Sequence, residues 1–169
     1  MNNNDCVVIL GPYLLWVMDA KDATIVELLQ DDGRATQQEI AKKVGLSQPS
    51  VAERIRKLEE AHIILGYTAR VDPRRLGHDI TAFIGVSIEH PKYFDAFARR
   101  VLALPGVLEC HRVAGPESYL LKVRTQSTGT LDQLLVEQLR TIPGVSSTHT
   151  TIVLATVKED THVRPGASA

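Results

Sequence analysis

The chain has 169 residues, of which 44% are hydrophobic and 23% are charged, a composition typical of a globular protein with one or two domains. Its 19 basic and 20 acidic side chains give a net charge of -1, which excludes nucleic-acid binding by bulk positive charge alone. The two cysteines, Cys6 and Cys110, are too few for a disulfide scaffold, so the sequence favours the reducing cytoplasm.

An N-terminal segment, residues 1–17, comes first. Its apolar run from Cys6 to Val17 is broken by Gly11-Pro12 and is too short to cross a bilayer. The segment also lacks the basic start of a signal peptide, so no membrane partner is expected. Two interpretations stay open, namely a strand that packs on a partner subunit and an unusual tail.

Residues 18–71 are predicted to form one domain, which begins with two helices. The first starts at Asp19 and ends near Asp31, with acidic residues at the positive end of the helix dipole. The second opens with the capping box Thr36-Gln37-Gln38-Glu39, in which the first and last side chains each bind an amide at the helix start. Gly45 can adopt the left-handed conformation that ends this helix.

A third helix completes a helix-turn-helix pattern. Ser47 caps this helix, and Pro49 lies in its first turn, where a missing amide hydrogen costs nothing. The small Ala41 lets two helices cross closely, and Gly45 bends the chain between them. Such motifs place the second of the two helices in the major groove, so we expect double-stranded DNA to be contacted by Ser47, Gln48, Ser50, Arg54 and Lys57.

Two further signals accompany this pattern. Apolar runs at Ile63-Ile64 and at Tyr67 to Val71 flank Gly66 and predict a hairpin, the wing of a winged helix-turn-helix domain. From Lys42 to Arg75 there are eight basic and four acidic residues, a local excess that the global charge conceals. The alternative is a three-helix domain whose basic residues only keep it in solution, but the agreement of cap, turn and charge favours DNA binding.

The second half predicts an α+β domain of the ferredoxin-like βαββαβ type, residues 81–158, after a linker at 72–80 and before a loose tail at 159–169. Two of its strands carry apolar side chains on both faces, so we expect a partner subunit to cover one face. The predicted elements, in chain order, are Thr81–Ile88, the helix Tyr93–Leu104, Val107–Val113, Tyr119–Val123, the helix Thr130–Ile142, and Val145–Val157.

No pattern of a metal site, a cofactor site or a catalytic centre is found. The six histidines lack ligand spacing, and His111 and His149 are interpreted as a polar pair on adjacent strands. Cys110 lies in a predicted strand, where a small buried hydrophobic residue is the ordinary role. There is no glycine-rich phosphate loop and no nucleophile elbow, so we expect no cofactor and no enzyme activity.

Linked motifs run through most of the chain: Asp31–Thr36, Val44–Ser47, Val51–Glu59, Ile64–Pro73, Pro105–Val107, Pro143–Val145 and Thr148–Leu154. In content and order they closely resemble the Lrp/AsnC, or feast/famine, transcription regulators, from about Met18 to Lys158. The resemblance implies a DNA-binding domain joined to a ferredoxin-like domain that forms homodimers and higher oligomers and senses small molecules, commonly amino acids. Two departures are His62, where many relatives have glycine, and Ser118, where aspartate is frequent.

The resemblance also implies an effector pocket between subunits, formed by the turn between two strands and by threonines of the last strand. Backbone amides and hydroxyl groups suit the carboxylate of an amino acid, and Glu117 suits its ammonium group. The predicted effector-binding residues are Gly115, Pro116, Glu117, Ser118, Thr148 and Thr150. The alternative for the effector pocket is an ordinary turn beside ordinary strand residues. Two alternatives remain for the function of the protein, namely an enzyme related to the siroheme decarboxylases and an amino-acid-sensing module without DNA binding.

Overall fold

A computed structural model of the chain describes residues 7–8 and 17–164. These residues form two units, one comprising the described residues up to Arg70 together with those from Asp160 onward, the other comprising Val71–Glu159. A short antiparallel pair, β1 (Val7–Val8) and β2 (Val17–Met18), precedes the helices, while residues 1–6 and 9–16 of the predicted N-terminal segment lie outside the described residues. Within the described part, no helix combines the length and the apolar character needed to span a membrane.

The first unit contains the three predicted helices. Their apolar faces meet in one core, where Ile25, Val51 and Leu58 are completely buried. Ala41 is buried as well, so the second and third helices cross closely at this small residue, as the helix-turn-helix pattern predicts. The helices are α1 (Ala20–Asp31), α2 (Gln37–Val44) and α3 (Gln48–Glu60).

The predicted helix caps are confirmed. The Thr36 hydroxyl accepts the backbone N–H of Glu39, whose carboxylate accepts the N–H of Thr36 in return. Gly45 has φ 66°, the left-handed conformation that lets α2 end and the chain turn into α3. Ser47 caps α3 by accepting the N–H of Ser50 at 3.3 Å. Because each cap joins residues three apart, local sequence determines where these helices start.

The predicted hairpin over residues 63–71 is wrong, since residues 61–73 contain no strand. The backbone N–H groups of Ile63 and Ile64 both donate to the carbonyl of Leu58, at 2.9 and 3.1 Å. The Tyr67 hydroxyl donates to the Glu59 carboxylate at 3.0 Å. The start of this segment is therefore bound to the end of α3, and its amides do not form a two-stranded ladder.

His62 ends α3 in the way a glycine would. Its φ is 55°, the one positive φ of a non-glycine residue among those described. Its N–H donates to the Glu59 carbonyl at 3.0 Å, while that of Ile63 donates to Leu58 at 2.9 Å. This hydrogen-bond pair is the Schellman motif, in which glycine is the usual residue at the left-handed position that His62 occupies here.

The second unit confirms the βαββαβ arrangement. Its elements, in chain order, are β3 (Ile80–Ile88), α4 (Phe94–Leu102), β4 (Val107–Arg112), β5 (Tyr119–Thr125), α5 (Thr128–Gln133) and β6 (Val145–Ile152). The four strands form an antiparallel sheet in the order β4-β5-β3-β6. The helix α5 continues as a π-helix over Leu134–Leu139.

The two faces of this sheet differ. On the face that packs against the helices, Ile84, Leu121 and Val123 are completely buried with Phe97 of α4. The alternate residues of the same strands lie on the opposite face, where Phe83 and Leu120 are partly exposed, each with 38% of its surface accessible. The period-2 alternation of a strand therefore gives this unit one packed face and one open, partly apolar face.

Strand β6 is shorter than predicted and ends at Ile152 instead of Val157. Ile152 pairs with Ala82, and beyond it only the Val153 N–H still donates to the Thr81 carbonyl. Because β3 begins at Ile80, it has almost no residue left to pair with a longer β6. The chain then leaves the sheet, and Leu154 is 93% exposed.

The segment expected to be a loose tail is bound to α1 in its described part. The Gln30 side-chain amide donates to the Val163 carbonyl at 2.9 Å and accepts the Val163 N–H at 2.7 Å. The His162 Nδ1 lies 3.3 Å from the Asp31 carboxylate. Residues 160–164 therefore belong with the first unit, although they follow the second unit in sequence.

Candidate functional site

The outward face of α3 carries four of the five predicted DNA-binding side chains. Ser47, Gln48 and Ser50 are exposed at its first turn. The hydroxyl oxygens of Ser47 and Ser50 lie 2.7 Å apart, so both serines help to form the helix cap. The Gln48 amide has two donors and an acceptor at the exposed start of the helix, the groups needed to read a base edge.

Opposite charges alternate further along this face of α3. Arg56 is exposed and forms ion pairs with Glu53, at 2.7 Å, and with Glu60. Its hydrogen bond lowers the pKa of the Glu53 carboxyl. The half-buried Lys57 lies on the same helix, with its Nζ 3.8 Å from the Glu53 carboxylate. The positive charge of this face is therefore partly balanced by its own carboxylates.

Arg54, the fifth predicted DNA-binding residue, is engaged inside the unit. Its Nη1 donates to the Asp19 carboxylate at 2.9 Å and to the Asp22 carboxylate at 2.6 Å. The Asp22 side chain is only 3% exposed, and this hydrogen bond is the main cause that raises the pKa of Arg54. Burial alone would raise the pKa of Asp19, but the N–H of Asp22 and the Arg54 guanidinium together lower it. Arg54 thus ties α3 to the start of α1.

The predicted effector turn is fixed against β3. Ser118 donates its N–H to the Val86 carbonyl at 2.9 Å, and its hydroxyl accepts the Ile88 N–H at 3.1 Å. The Glu117 side chain lies over Gly85, because a Cβ placed on Gly85 would come within 2.6 Å of the Glu117 Cγ. Gly85 therefore lets this carboxylate approach the open face of the sheet closely.

The predicted threonines lie on the other face. Thr148 pairs with Val86 and Thr150 with Ile84, and both partners are completely buried on the helix side. Arg140, which follows the π-helix, donates from its Nε to the Thr148 hydroxyl at 3.0 Å. Within one chain, the structure therefore separates the two threonines from Glu117 by the thickness of the sheet.

Three residues near these groups are absent from the predicted effector site, namely Gly85, His149 and Arg140. A glycine inside a predicted strand signals a close approach of another group, and this signal could have identified Gly85. His149 pairs with Gly85, so it lies on the open face next to the position covered by Glu117. The contact of Arg140 depends on packing between a helix and a strand, and no local pattern indicates it.

The interpretation of His111 and His149 as neighbours across adjacent strands is wrong. The strands that carry them, β4 and β6, are the two edges of the sheet. His111 pairs with Leu120, and Gly85 separates Leu120 from His149 in the same row. Three inter-strand spacings of about 4.8 Å put the histidines roughly 14 Å apart. Among the described residues, no three His, Cys, Asp or Glu side chains come together as metal ligands would.

Comparison with known proteins gives two matches to family models. Residues 18–59 match the AsnC-type helix-turn-helix domain, and residues 81–163 match the Lrp/AsnC ligand binding domain. The HTH-type transcriptional regulator FL11 of Pyrococcus horikoshii is 38% identical over 86% of this chain and 95% of its own. The leucine-responsive regulatory protein of Escherichia coli K12 is 38% identical over 84% of this chain and 88% of its own. A solved structure, the feast or famine regulatory protein of M. tuberculosis complexed with L-methionine, is 38% identical, with a TM-score of 0.82 over 88% of this chain and 99% of that one.

Proposed function

The chain belongs to the Lrp/AsnC family of transcriptional regulators, and from this premise we propose that it binds specific DNA sequences in response to an amino acid. The observation that carries the proposal is the exposed first turn of α3 in a capped helix-turn-helix, joined in one chain to a unit that matches the family's ligand-binding domain. The regulators of this family are a non-enzyme class, and the proposed activity needs no cofactor.

In the proposed DNA complex, the first turn of α3 lies in the major groove. Gln48 and Ser50 contact base edges and therefore determine sequence preference. Lys57 contacts a phosphate, and Ser47 holds the helix start in place. Arg54 positions α3 against α1 instead of touching DNA. Since the partner is chromosomal DNA, the proposed location is the cytoplasm.

The open face of the sheet supports a homodimer. Phe83 and Leu120 on its central strands are each 38% exposed. Apolar side chains grouped on one face are typical of a surface that a partner covers. A dimer also suits the DNA-binding role, because one α3 reads only a half-site and two-fold symmetry pairs two of them. Further association of dimers would give the higher oligomer expected from the family.

The proposed effector site lies at the turn of residues 114–118. Glu117 offers a carboxylate to the ammonium group of an amino acid, and backbone amides of the turn offer donors to its carboxylate. Because Thr148 and Thr150 lie on the helix side of the sheet, they would meet the same ligand only from a second subunit. The complex of the M. tuberculosis relative with L-methionine supports this class of ligand.

The proposal is tested by fluorescence anisotropy with labelled DNA from the chain's own upstream region, with and without each of the twenty amino acids. We expect at least one of them to change the affinity. Gly115→Asp adds bulk and negative charge at the turn and should abolish this response while leaving basal DNA binding intact. The matched control is Gly129→Asp, which places an acid in the first turn of α5, where the helix dipole favours it.

A Gly115→Asp protein that responds normally, or that no longer binds DNA, would place the effector site elsewhere. A wild-type protein that binds no upstream DNA would contradict the DNA-binding role itself.

A further inference from the structure

A carboxylate lies at the middle of the outward face of α3. At about 100° per residue, Glu53 is roughly 200° around the helix from the completely buried Val51, so it lies almost opposite the core of the first unit. Gln48, at the exposed helix start, is five residues earlier, a rise of about 7.5 Å along the axis. If α3 lies in the major groove, Glu53 is therefore carried roughly two base pairs beyond the bases that Gln48 meets.

This carboxylate is held in one orientation by Arg56, which lies one turn further along α3. Arg56 Nε donates to Glu53 Oε2 at 2.9 Å, and its Nη2 donates to Oε1 at 2.7 Å. Two parallel hydrogen bonds between a guanidinium and a carboxylate fix the planes of both groups. The side chains of Arg56 and Glu53 are nevertheless 53% and 50% exposed. The pair therefore presents a defined arrangement of donors and acceptors at the surface of the helix.

Both groups keep hydrogen-bonding capacity that the described residues do not use. A guanidinium has five N–H donors, and Arg56 uses three of them, two on Glu53 and one on Glu60. An ionised carboxylate has about four lone-pair sites, and Arg56 occupies two of those of Glu53. Lys57 Nζ is a more distant neighbour of the same carboxylate, at 3.8 Å. Another molecule can therefore both donate to Glu53 and accept from Arg56.

The charge of Glu53 restricts which part of a duplex it can meet favourably. Phosphates repel a carboxylate, so Glu53 weakens the approach of α3 to any DNA unless it accepts a hydrogen bond from a base. In the major groove, cytosine N4 is the donor that typically pairs with glutamate, and guanine O6 and N7 are the acceptors that typically pair with arginine. Because cytosine and guanine form one base pair, an adjacent carboxylate and guanidinium match the edge of a G·C pair.

From this complementarity we propose that Glu53 and Arg56 together read a G·C base pair, in addition to the bases met by the first turn of α3. Arg56 donates its remaining N–H groups to guanine, and Glu53 accepts from cytosine N4 and orients the guanidinium. This inference rests on the proposed DNA-binding function and names a part of its specificity. The alternative is an ion pair that only stabilises the helix, which would affect binding to all sequences alike.

The test begins with the full-length chain and a library of random DNA duplexes, from which bound sequences are selected. Fluorescence anisotropy then measures the affinity for the selected site and for each of its single-base-pair variants. We expect one G·C pair per half-site whose exchange for A·T weakens wild-type binding about tenfold and loses this effect in the variants. Arg56→Lys keeps the charge but lacks the planar fork, so the penalty at that pair should fall below about threefold.

Glu53→Gln should reduce the same penalty and should also strengthen binding to unrelated duplexes, because a negative charge that faces the phosphates is removed. The matched control is Glu60→Gln, which removes the same charge from the same helix but leaves the two bonds between Glu53 and Arg56 in place. It should strengthen binding to unrelated duplexes as well, but keep the full penalty at the G·C pair. Arg99→Lys, at an exposed position of α4, is the control for the arginine substitution.

Circular dichroism melting verifies that all variants are folded. The proposal is overturned if the selected half-site has no such G·C pair. It is also overturned if Glu53→Gln and Arg56→Lys keep the wild-type penalty at every position and change all affinities by one common factor. Either result leaves the proposed function intact, since the wild-type chain has then still selected a sequence. If the wild-type chain enriches no sequence from the library, the proposed function fails and this inference fails with it.

Discussion

Replacement of Arg54 by methionine separates a structural role from a DNA-binding role for this residue. The substitution keeps the length and the apolar stem of the side chain but removes the guanidinium that binds Asp19 and Asp22. Asp22 is then left as a buried carboxylate, 3% exposed, without its cation. We therefore expect Arg54→Met to destabilise the first unit.

The size of the effect depends on how much water reaches the cluster. Removal of one partner from a fully buried ion pair costs about 3–5 kcal/mol. Here the side chains of Arg54 and Asp19 are 29% and 32% exposed, so solvent screens part of the charge. We expect a loss of about 2–3 kcal/mol, which for a unit of this size lowers Tm by roughly 10–20 °C.

The measurement is thermal unfolding followed by far-ultraviolet circular dichroism. Arg56→Met is the matched control on the same helix, because Arg56 is exposed and solvent screens its ion pairs with Glu53 and Glu60, so their loss should change stability little. Adding Asp22→Leu to Arg54→Met removes the unpaired carboxylate and should recover most of the lost stability. The reasoning is refuted if Arg54→Met melts like the wild-type protein and binds DNA more weakly, since Arg54 would then be a DNA contact.

Three further predictions concern DNA binding, assembly and pH. Lys57→Ala should weaken DNA binding and reduce by about one the slope of the logarithm of the binding constant against the logarithm of the salt concentration. An unchanged slope in this variant contradicts the phosphate contact. Ser50→Ala should instead alter sequence preference and leave the slope unchanged. Phe83→Glu puts a charge on the open sheet face and should give a monomer in size-exclusion chromatography with light scattering; a dimer of unchanged stability would move the interface elsewhere. The pKa of Asp19 is lowered in the folded state, so its contribution to stability is present above its unfolded pKa of about 3.9 and is lost as pH falls through the lower folded value. Urea unfolding at several pH values should show this loss in the wild-type chain and a smaller one in Arg54→Met.

Both ends of α2 and the start of α3 were predictable because the groups that set them are close in sequence. The Thr36 capping box, Gly45 and Ser47 each act over three or four residues, and all three have the predicted roles. The βαββαβ order was equally predictable, since it follows from apolar periodicity and from turn residues between the elements.

Features that depend on long-range pairing were not predictable in this way. The sequence does not reveal that Ile63 and Ile64 bond to Leu58 instead of forming a hairpin, or that β3 begins too late to pair with a longer β6. The predicted DNA-binding residues Ser47, Gln48, Ser50 and Lys57 and the predicted effector residues stay predictions.

Side-chain roles were the hardest to predict. Arg54 has the spacing of a flanking residue on α3, but its partners lie 35 and 32 positions earlier. Asp19 and Asp22, at the start of α1, were predicted to interact with the positive end of the helix dipole. No local sequence pattern relates them to an arginine on another helix. Long-range ion pairs of this kind become visible only when the fold places the helices together.

The return of residues 160–164 to the first unit has a consequence for chimaeras built from this chain. Because Val163 is bound by Gln30 and His162 lies against Asp31, the DNA-binding unit is assembled from two separate stretches of the gene. The ligand-binding unit is, in this sense, inserted into it. An exchange of sensors between two relatives that cuts the gene only once, near residue 71, would combine α1 of one parent with the terminal segment of the other. A chimaera that preserves these contacts needs a second crossover before Asp160.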